Sequence, residues 1–150
     1  MEVLLKEKKY SRVDNLIWKV TKLLIKKKKH ILEEFDLTCS QYDILSAIYQ
    51  SAGNKTEIIQ ISLSEKTQID PMTTSTVLRN LQKRGLIKRE RGLINTRTVE
   101  VEITQSGKQL YNLAQEKIDK MKEEIYQNLD QQELTSQLSK LSDTLIKSKF

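Results

Sequence analysis

The chain has 150 residues, with 26 Lys and Arg against 20 Asp and Glu, a net charge of +6 and a pI of about 9.3. Four Gly and one Pro leave no room for a long flexible linker, and no apolar run approaches the roughly 18 residues that a membrane-spanning helix needs. The length favours one domain, and the lack of an apolar leader together with a single Cys predicts a cytoplasmic protein without disulfides.

The positive charge is concentrated in two segments. Residues 71–97 contain seven cations against one acid, and residues 1–32 contain ten cations against three acids, so the remainder sums to −7. Clustered cations attract polyanions over about a Debye length. Nucleic acid is therefore the leading expected partner, with an anionic membrane surface as the alternative.

A long amphipathic helix is predicted from about Ser11 to Phe35, because apolar residues recur there at spacings of three and four. The run Lys26 to Lys29 inside it is interpreted as a solvated helix face rather than a phosphate site. His30 is interpreted as a polar residue of the same helix, since one His and one Cys cannot supply a usual transition-metal site.

A second helix is predicted to begin at Thr38 and to run to about Gln50, because Thr38 and Gln41 have the spacing of a capping box. The residues predicted on its core face are Tyr42, Leu45, Ile48 and Tyr49. The following SAGNKTE is typical of a loop.

The stretch IIQISLSEKTQ is short and mixed. Ile58 and Ile59 fit a brief strand, and 61–68 fits a third helix with Ile61, Leu63 and Ile69 turned inward.

The stretch DPMTTSTVLRNLQKRGLI contains the start, the core face and the end of a fourth helix. Asp70 is the N-cap, Pro71 occupies the first helical position, and Gly85 ends the helix as a left-handed cap. The residues predicted to face inward are Thr74, Val77, Leu78 and Leu81. Because Ser and Thr are mediocre helix formers, the run TTST at 73–76 indicates a role other than helix stability.

The rest of the chain predicts a hairpin and two helices. Leu86 and Ile87 begin one strand, and the alternation in TVEVEI predicts a second strand after a basic loop. Thr104 caps a fifth helix, and Asp130 with Glu133 caps a last one. The apolar stripes of these helices consist of Leu110, Ala114, Ile118, Met121, Ile125 and Leu129, and of Leu134, Leu138, Leu141 and Leu145. One small chain has little to cover the wide apolar stripes of its first and last helices, which predicts that two chains pack these helices together. Packing within one chain is the alternative.

Two helices followed by a basic hairpin form a winged helix-turn-helix, whose second helix enters the major groove of DNA. The outward side of the fourth helix then offers hydroxyls, a guanidinium, an amide and an amine, which contact base edges and phosphates. The candidate DNA-binding residues of this helix are Thr73, Ser75, Thr76, Arg79, Asn80 and Lys83.

Three segments, LTCSQYDIL, ISLSEKTQIDPMTTSTVLRNLQKRGLIKR and NTRTVEVEITQSGKQL, together resemble the MarR family of bacterial transcription regulators over nearly the whole chain. In that family an Asp-x-Arg in the wing sends its Arg into the minor groove. The pattern here is Asn95-Thr96-Arg97, so the resemblance adds Arg97 to the DNA-binding set and places Asn where the family has Asp.

The resemblance implies a mainly α fold with a small β-hairpin wing. It implies a DNA-binding lobe at about 37–104 and dimerisation helices at about 1–36 and 105–150. The expected function is that of a repressor that binds double-stranded DNA as a homodimer at a pseudo-palindromic operator. A small phenolic or anionic effector in the crevice between dimer arms and lobe, or oxidation of a cysteine, would release it. No cofactor is implied.

Each of two candidate sensor sites has two interpretations. Cys39 stands at the start of the second helix, where the helix dipole favours thiolate, so it is either a redox site or a small structural residue. Trp18 and Tyr42 either line an effector crevice or belong to the core.

No motif of a catalytic site is present, since the sequence has no Gly-rich phosphate loop, no H-E-x-x-H and no G-x-S-x-G. An enzyme is therefore not expected. The alternative function is a winged-helix module that binds a protein or an anionic membrane without specific DNA binding.

Overall fold

A computed structural model describes residues 2–51, 59–93 and 95–148. Within these residues it contains six helices and one two-stranded antiparallel sheet, which confirms the mainly α fold with a β-hairpin. The chain divides into two compact units, Met1–Gln115 and Glu116–Phe150. The elements are α1 (Glu2–Glu33), α2 (Cys39–Ser51), α3 (Gln60–Thr67), α4 (Pro71–Lys83), β1 (Ile87–Arg91), β2 (Val99–Ile103), α5 (Gln105–Tyr126) and α6 (Gln131–Lys147).

Helix α1 is longer at its start than the sequence predicts, because it begins at Glu2 and not near Ser11. Lys and Glu, which are good helix formers, dominate the added segment. Within the lysine run only Lys28 is half-buried, and its Nζ lies 2.7 Å from Asp43 Oδ1 and 5.0 Å from the centre of the Tyr42 ring. The other three lysines are exposed, as a solvated face requires.

The predicted capping box of α2 is confirmed. Gln41 N–H donates to Thr38 Oγ1 at 3.1 Å, and Thr38 N–H donates to Gln41 Oε1 at 2.9 Å. Because α2 packs against α1, α3, α4 and β2, more than one of its faces is buried, and Ile44 joins the core although the sequence did not predict it. The buried residues of α2 are Tyr42, Ile44, Leu45, Ala47 and Ile48.

Helix α3 is rotated relative to the prediction. Leu63 is buried as expected, but Ile61 is 69% exposed, so its predicted inward position was wrong. Ser64 is buried instead, since its hydroxyl can donate to the Ile69 carbonyl at 2.5 Å. Of the predicted brief strand, Ile59 forms an isolated antiparallel bridge to Glu100, while Ile58 and most of the predicted SAGNKTE loop lie outside the described residues.

The hairpin places β1 and β2 in antiparallel register, with Ile87 opposite Ile103 and Arg89 opposite Val101. The predicted alternation of β2 is confirmed at Val101 and Ile103, which are buried, whereas Val99 lies at the exposed end of the strand.

A network of hydrogen bonds around Thr104 joins α4, the hairpin and α5. Thr104 N–H donates to the Leu86 carbonyl at 3.0 Å, and its hydroxyl donates to the Gly85 carbonyl at 2.7 Å. The same hydroxyl oxygen accepts from Gly107 N–H at 3.1 Å, so Thr104 caps α5 as predicted. Gly85 has φ +74°, which confirms the left-handed end of α4.

The predicted stripe of α5 is buried at Ala114, Ile118 and Met121, and the sequence missed Tyr111, whose side chain is fully buried. Tyr111 stacks against Tyr42 at 5.6 Å between ring centres, and its hydroxyl lies 3.0 Å from Ser46 Oγ. The polar end of Tyr therefore has a partner inside the core.

In the second unit, Asp130 Oδ1 accepts from Glu133 N–H at 3.1 Å, which confirms the predicted start of α6. None of the residues of α6 is buried. No helix in the described part of the chain is long and apolar enough to cross a membrane.

Gly107→Ala tests the close packing of α5 on the end of α4. An added Cβ would overlap the Leu86 carbonyl oxygen and would lie 2.8 Å from Ile103 Cγ1, where neither backbone nor sheet can give way cheaply. We expect a loss of about 1–3 kcal/mol in the free energy of unfolding, measured by denaturant titration. Ser106→Ala, at an exposed neighbouring position, is the control and changes stability by less than about 0.5 kcal/mol. Equal stability of the two variants would contradict this packing.

Candidate nucleic-acid interface

The start of α4 is fixed by the Asp70 carboxylate. Asp70 Oδ1 accepts from Thr73 N–H at 2.8 Å, and Asp70 Oδ2 accepts from the Thr73 hydroxyl at 2.6 Å. These two hydrogen bonds from Thr73 stabilise the charged form and lower the pKa of Asp70. With Pro71 at the first helical position, the helix has a rigid N-terminus despite its hydroxyl-rich sequence.

The inner and outer faces of α4 separate as the sequence predicts. The buried residues are Thr74, Val77, Leu78 and Leu81. The Thr74 hydroxyl donates to the Ile69 carbonyl at 3.3 Å, so its burial leaves no unpaired group. Of the candidate DNA-binding residues on this helix, Ser75 is half-buried, and the exposed ones are Thr73, Thr76, Arg79, Asn80 and Lys83.

Two of the exposed hydroxyls already use their hydrogens inside the helix. The Thr73 hydroxyl donates to Asp70, and the Thr76 hydroxyl can donate to the Met72 carbonyl at 3.1 Å. Arg79 Nη2 in turn donates to Thr76 Oγ1 at 3.4 Å. In this arrangement the free lone pairs of Thr73 and Thr76 suit base amino groups, which donate, better than phosphate oxygens, which accept.

Asn80 is held by a residue that the sequence did not assign to the site. Gln41 Nε2 donates to Asn80 Oδ1 at 3.0 Å, while the same Gln41 side chain closes the capping box of α2. One of the two lone pairs of the Asn80 carbonyl oxygen is therefore used, and the other lone pair and the amide nitrogen remain available. A bidentate contact with adenine needs both atoms of the amide, so adenine would share this oxygen with Gln41 or displace Gln41 from it.

The seven cations of residues 71–97 fall into two groups. Arg84 and Arg89 are half-buried, and the other five are exposed. Arg84 Nη1 donates to the Asp36 carbonyl at 2.7 Å and so satisfies the backbone beyond the end of α1. Arg89 Nε donates to Gln82 Oε1 at 2.7 Å, and burial together with the like charge of Arg79 lowers its pKa. The exposed cations available to a polyanion are Arg79, Lys83, Lys88, Arg91 and Arg97.

The wing holds Arg97 through its backbone. Asn95 Oδ1 accepts from Arg97 N–H at 3.1 Å, and the Asn95 carbonyl accepts from the Thr98 hydroxyl at 2.7 Å. An Asn can make this turn as well as an Asp. The Arg97 side chain is exposed and lines a recess of about 410 Å³ together with Arg89 and Arg91.

A second cavity, of about 590 Å³, lies where α1, the start of α2 and the end of α4 meet, and its lining includes Ile25, Cys39, Asn80 and Arg84. Burial raises the pKa of the Cys39 thiol and outweighs the nearby Lys28, which lowers it. The thiolate form that oxidation requires is therefore disfavoured.

The two aromatic residues proposed for an effector crevice lie in different surroundings. Trp18 is 60% exposed on α1, and Tyr42 is buried against Tyr111. Neither lines the 590 Å³ cavity. His30 is exposed on α1.

Comparisons with known proteins identify relatives of the chain. The family model for the transcriptional regulator SarA/Rot matches residues 26–114. The HTH-type transcriptional regulator YhbI of Bacillus subtilis is 30% identical over 135 residues, which cover 87% of this chain and 84% of YhbI. The HTH-type transcriptional regulator SarZ of Staphylococcus saprophyticus is 28% identical over 115 residues, 77% of this chain and 73% of SarZ. Staphylococcus aureus MepR in its DNA complex has a TM-score of 0.78 and 25% identity, covering 90% of this chain and 97% of MepR.

Asp70→Asn and Asp70→Ala separate the charge of the α4 cap from its hydrogen bonds. A carboxylate whose pKa is lowered in the folded state stabilises that state fully at pH values above its ordinary pKa of 3.8. This stabilisation is lost as the pH falls through the lowered pKa. Asn accepts the hydrogen bond from Thr73 N–H without titrating. We expect the wild type to lose stability relative to Asp70→Asn only below about pH 3.8, and Asp70→Ala to be the least stable at neutral pH. Denaturant titrations at several pH values measure this, and a constant difference between wild type and Asp70→Asn would contradict it.

Proposed function

Because the chain belongs to the SarA/Rot family of transcriptional regulators and is a winged helix-turn-helix DNA-binding regulator, we propose that it represses transcription as a homodimer bound to a pseudo-palindromic operator. Membership of the MarR family proper, which the sequence resembles, is part of this proposal, as are a DNA-binding lobe at about 37–104 and dimerisation helices on either side. The MepR complex with DNA supports it as a relative of the same fold.

The observation that carries the proposal is the outer surface of α4 beside the wing. One rigidly capped helix presents the exposed Thr76, Arg79 and Lys83 opposite a fully buried face. The hairpin that follows adds the exposed Arg91 and Arg97. Base contacts from the helix and backbone contacts from the wing are the two kinds of contact that a winged helix needs.

The proposed dimerisation helices expose apolar side chains on both α1 and α6. Soluble monomers rarely leave extended apolar patches in water, so these faces support a second copy as the occupant. The large apolar residues that are about 50% or more exposed include Val13, Leu16, Trp18, Val20 and Leu23 on α1, and Leu138, Leu145 and Ile146 on α6.

For the effector, the 590 Å³ cavity is a candidate in addition to Trp18 and Tyr42. A phenolic or anionic compound of modest size fits such a volume. Because Asn80 of the recognition helix is part of its wall and Gln41 is another, an occupant would compete with the hydrogen bond between these two side chains. Binding would then change which hydrogen-bonding groups of Asn80 are free to contact DNA. The raised pKa of Cys39 favours its structural interpretation over a redox one.

Gel shifts on DNA upstream of the chain's own gene test the assignment of α4 and the wing. Arg79→Ala should weaken binding by about 1–3 kcal/mol per half-site and relax base preference. Arg97→Ala should weaken binding to all sequences and reduce the salt dependence, since it removes a contact without base information. Lys140→Ala, which removes an exposed cation from α6, is the control and should bind as the wild type does.

Equal binding by wild type and both arginine variants would refute the site assignment. Salt-resistant binding would refute it as well, because a dimer with twice the +6 charge of one chain must release counterions on binding. A chain that binds no duplex at low salt and recovers a protein partner would support the interaction-module alternative.

Leu16→Glu tests the proposed dimer. It places a charge on an exposed apolar position of α1, where a partner chain would have to bury it, so we expect a chain of monomer mass, 17.5 kDa, in sedimentation analysis. Asn15→Glu introduces the same charge at the adjacent exposed polar position and should leave the dimer intact. Dimerisation of both variants alike would place the interface elsewhere.

A further inference from the structure

Met72 is an exposed apolar side chain at the start of the recognition helix. It is the second residue of α4, and 81% of its surface is accessible. Thr76, Arg79 and Lys83 follow it four, seven and eleven positions later, so these residues form one line along the helix. This line lies opposite the buried face of α4. Sequence patterns for DNA binding favour polar residues, so Met72 is not among the DNA-binding residues that the sequence predicts.

The position of Met72 decides what it meets in a DNA complex. In a helix-turn-helix the N-terminal residues of the second helix reach the base edges. Met72 is nearer the N-terminus of α4 than Thr76 and Arg79, so in a complex of this kind it lies close to the base edges. The Met72 carbonyl accepts from the Thr76 hydroxyl at 3.1 Å, and the residue is 81% accessible, so its side chain is the part left to meet a partner. An unbranched thioether chain can adapt to the surface that it meets.

The base edges of the major groove contain one apolar group, the 5-methyl group of thymine, among hydrogen-bond donors and acceptors. A long apolar side chain against those polar groups would remove their water without replacing its hydrogen bonds, which is unfavourable. Against a thymine methyl group it buries apolar surface on both sides.

We infer that Met72 determines base preference by contacting a thymine methyl group, so that each operator half-site contains a T·A pair beneath the start of α4. This inference rests on the proposed DNA-binding function and adds to it a preference that hydrogen bonding alone would not supply. Because Met72 contacts solvent rather than core, its replacement leaves the fold of α4 intact.

The test uses the full chain and a duplex selected by it from a random library. Each thymine is replaced in turn by deoxyuridine, which lacks only the methyl group, and the dissociation constant is measured. The wild type should lose about fourfold in affinity at one symmetric position per half-site, the effect of burying one methyl group. Met72→Ala should bind the thymine duplex more weakly and should not distinguish thymine from deoxyuridine at that position.

Two controls make the result specific to Met72. Leu93→Ala removes an apolar side chain that is even more exposed, 92% accessible, from the wing. A wing that contacts the backbone or minor groove meets no thymine methyl group, so this variant should keep the full sensitivity to deoxyuridine. Met72→Leu should restore much of the discrimination that Met72→Ala loses.

Each outcome supports or overturns the inference. A wild type that is indifferent to deoxyuridine at every position, or a Met72→Ala variant that keeps the wild-type sensitivity, overturns it while the proposed function stands. Failure of the wild type to select any duplex overturns the proposed function, and the inference with it.

Discussion

Burial of the inner face of α4 is the interaction on which the winged helix-turn-helix arrangement depends. Thr74, Leu78 and Leu81 have no accessible surface, and α4 packs against α2, α3 and β1. A helix held on these sides cannot rotate about its own axis without exposing apolar surface, at about 25 cal/mol for each Å². The set of α4 residues that faces solvent, which is the set proposed to face DNA, is therefore fixed by the core. Asp70 adds a fixed starting point, since it orders the first turn that the hydroxyl-rich sequence would otherwise leave weak.

The position of the wing relative to α4 follows from the hydrogen bonds of Thr104. Its amide and hydroxyl bind the carbonyls of Leu86 and Gly85, which follow α4, and its oxygen accepts from Gly107 at the start of α5. Recognition helix, hairpin and α5 thus meet at one residue. Gly107 permits the close approach, because any side chain there would overlap the Leu86 carbonyl.

Local chemistry explains what could be predicted from the sequence. The caps at Thr38, Asp70 and Asp130 depend on residues three positions apart, and the structure confirms all three. The orientation of α3 could not be predicted, since a helix of two turns has too few apolar residues to define a face. Ser64 lies inward, where its hydroxyl bonds to the Ile69 carbonyl. The hydrogen bond from Gln41 to Asn80 could not be predicted either, because it joins side chains 39 residues apart in the sequence.

The same bond from Gln41 to Asn80 links two helices through one side chain. Thr38 N–H donates to Gln41 Oε1, so the amide that holds Asn80 is itself fixed by the start of α2. An exposed side chain normally loses rotamer freedom when it binds a partner. Because the bond already restricts Asn80 in the free protein, a contact between Asn80 and a base, under the proposed function, would cost less conformational entropy.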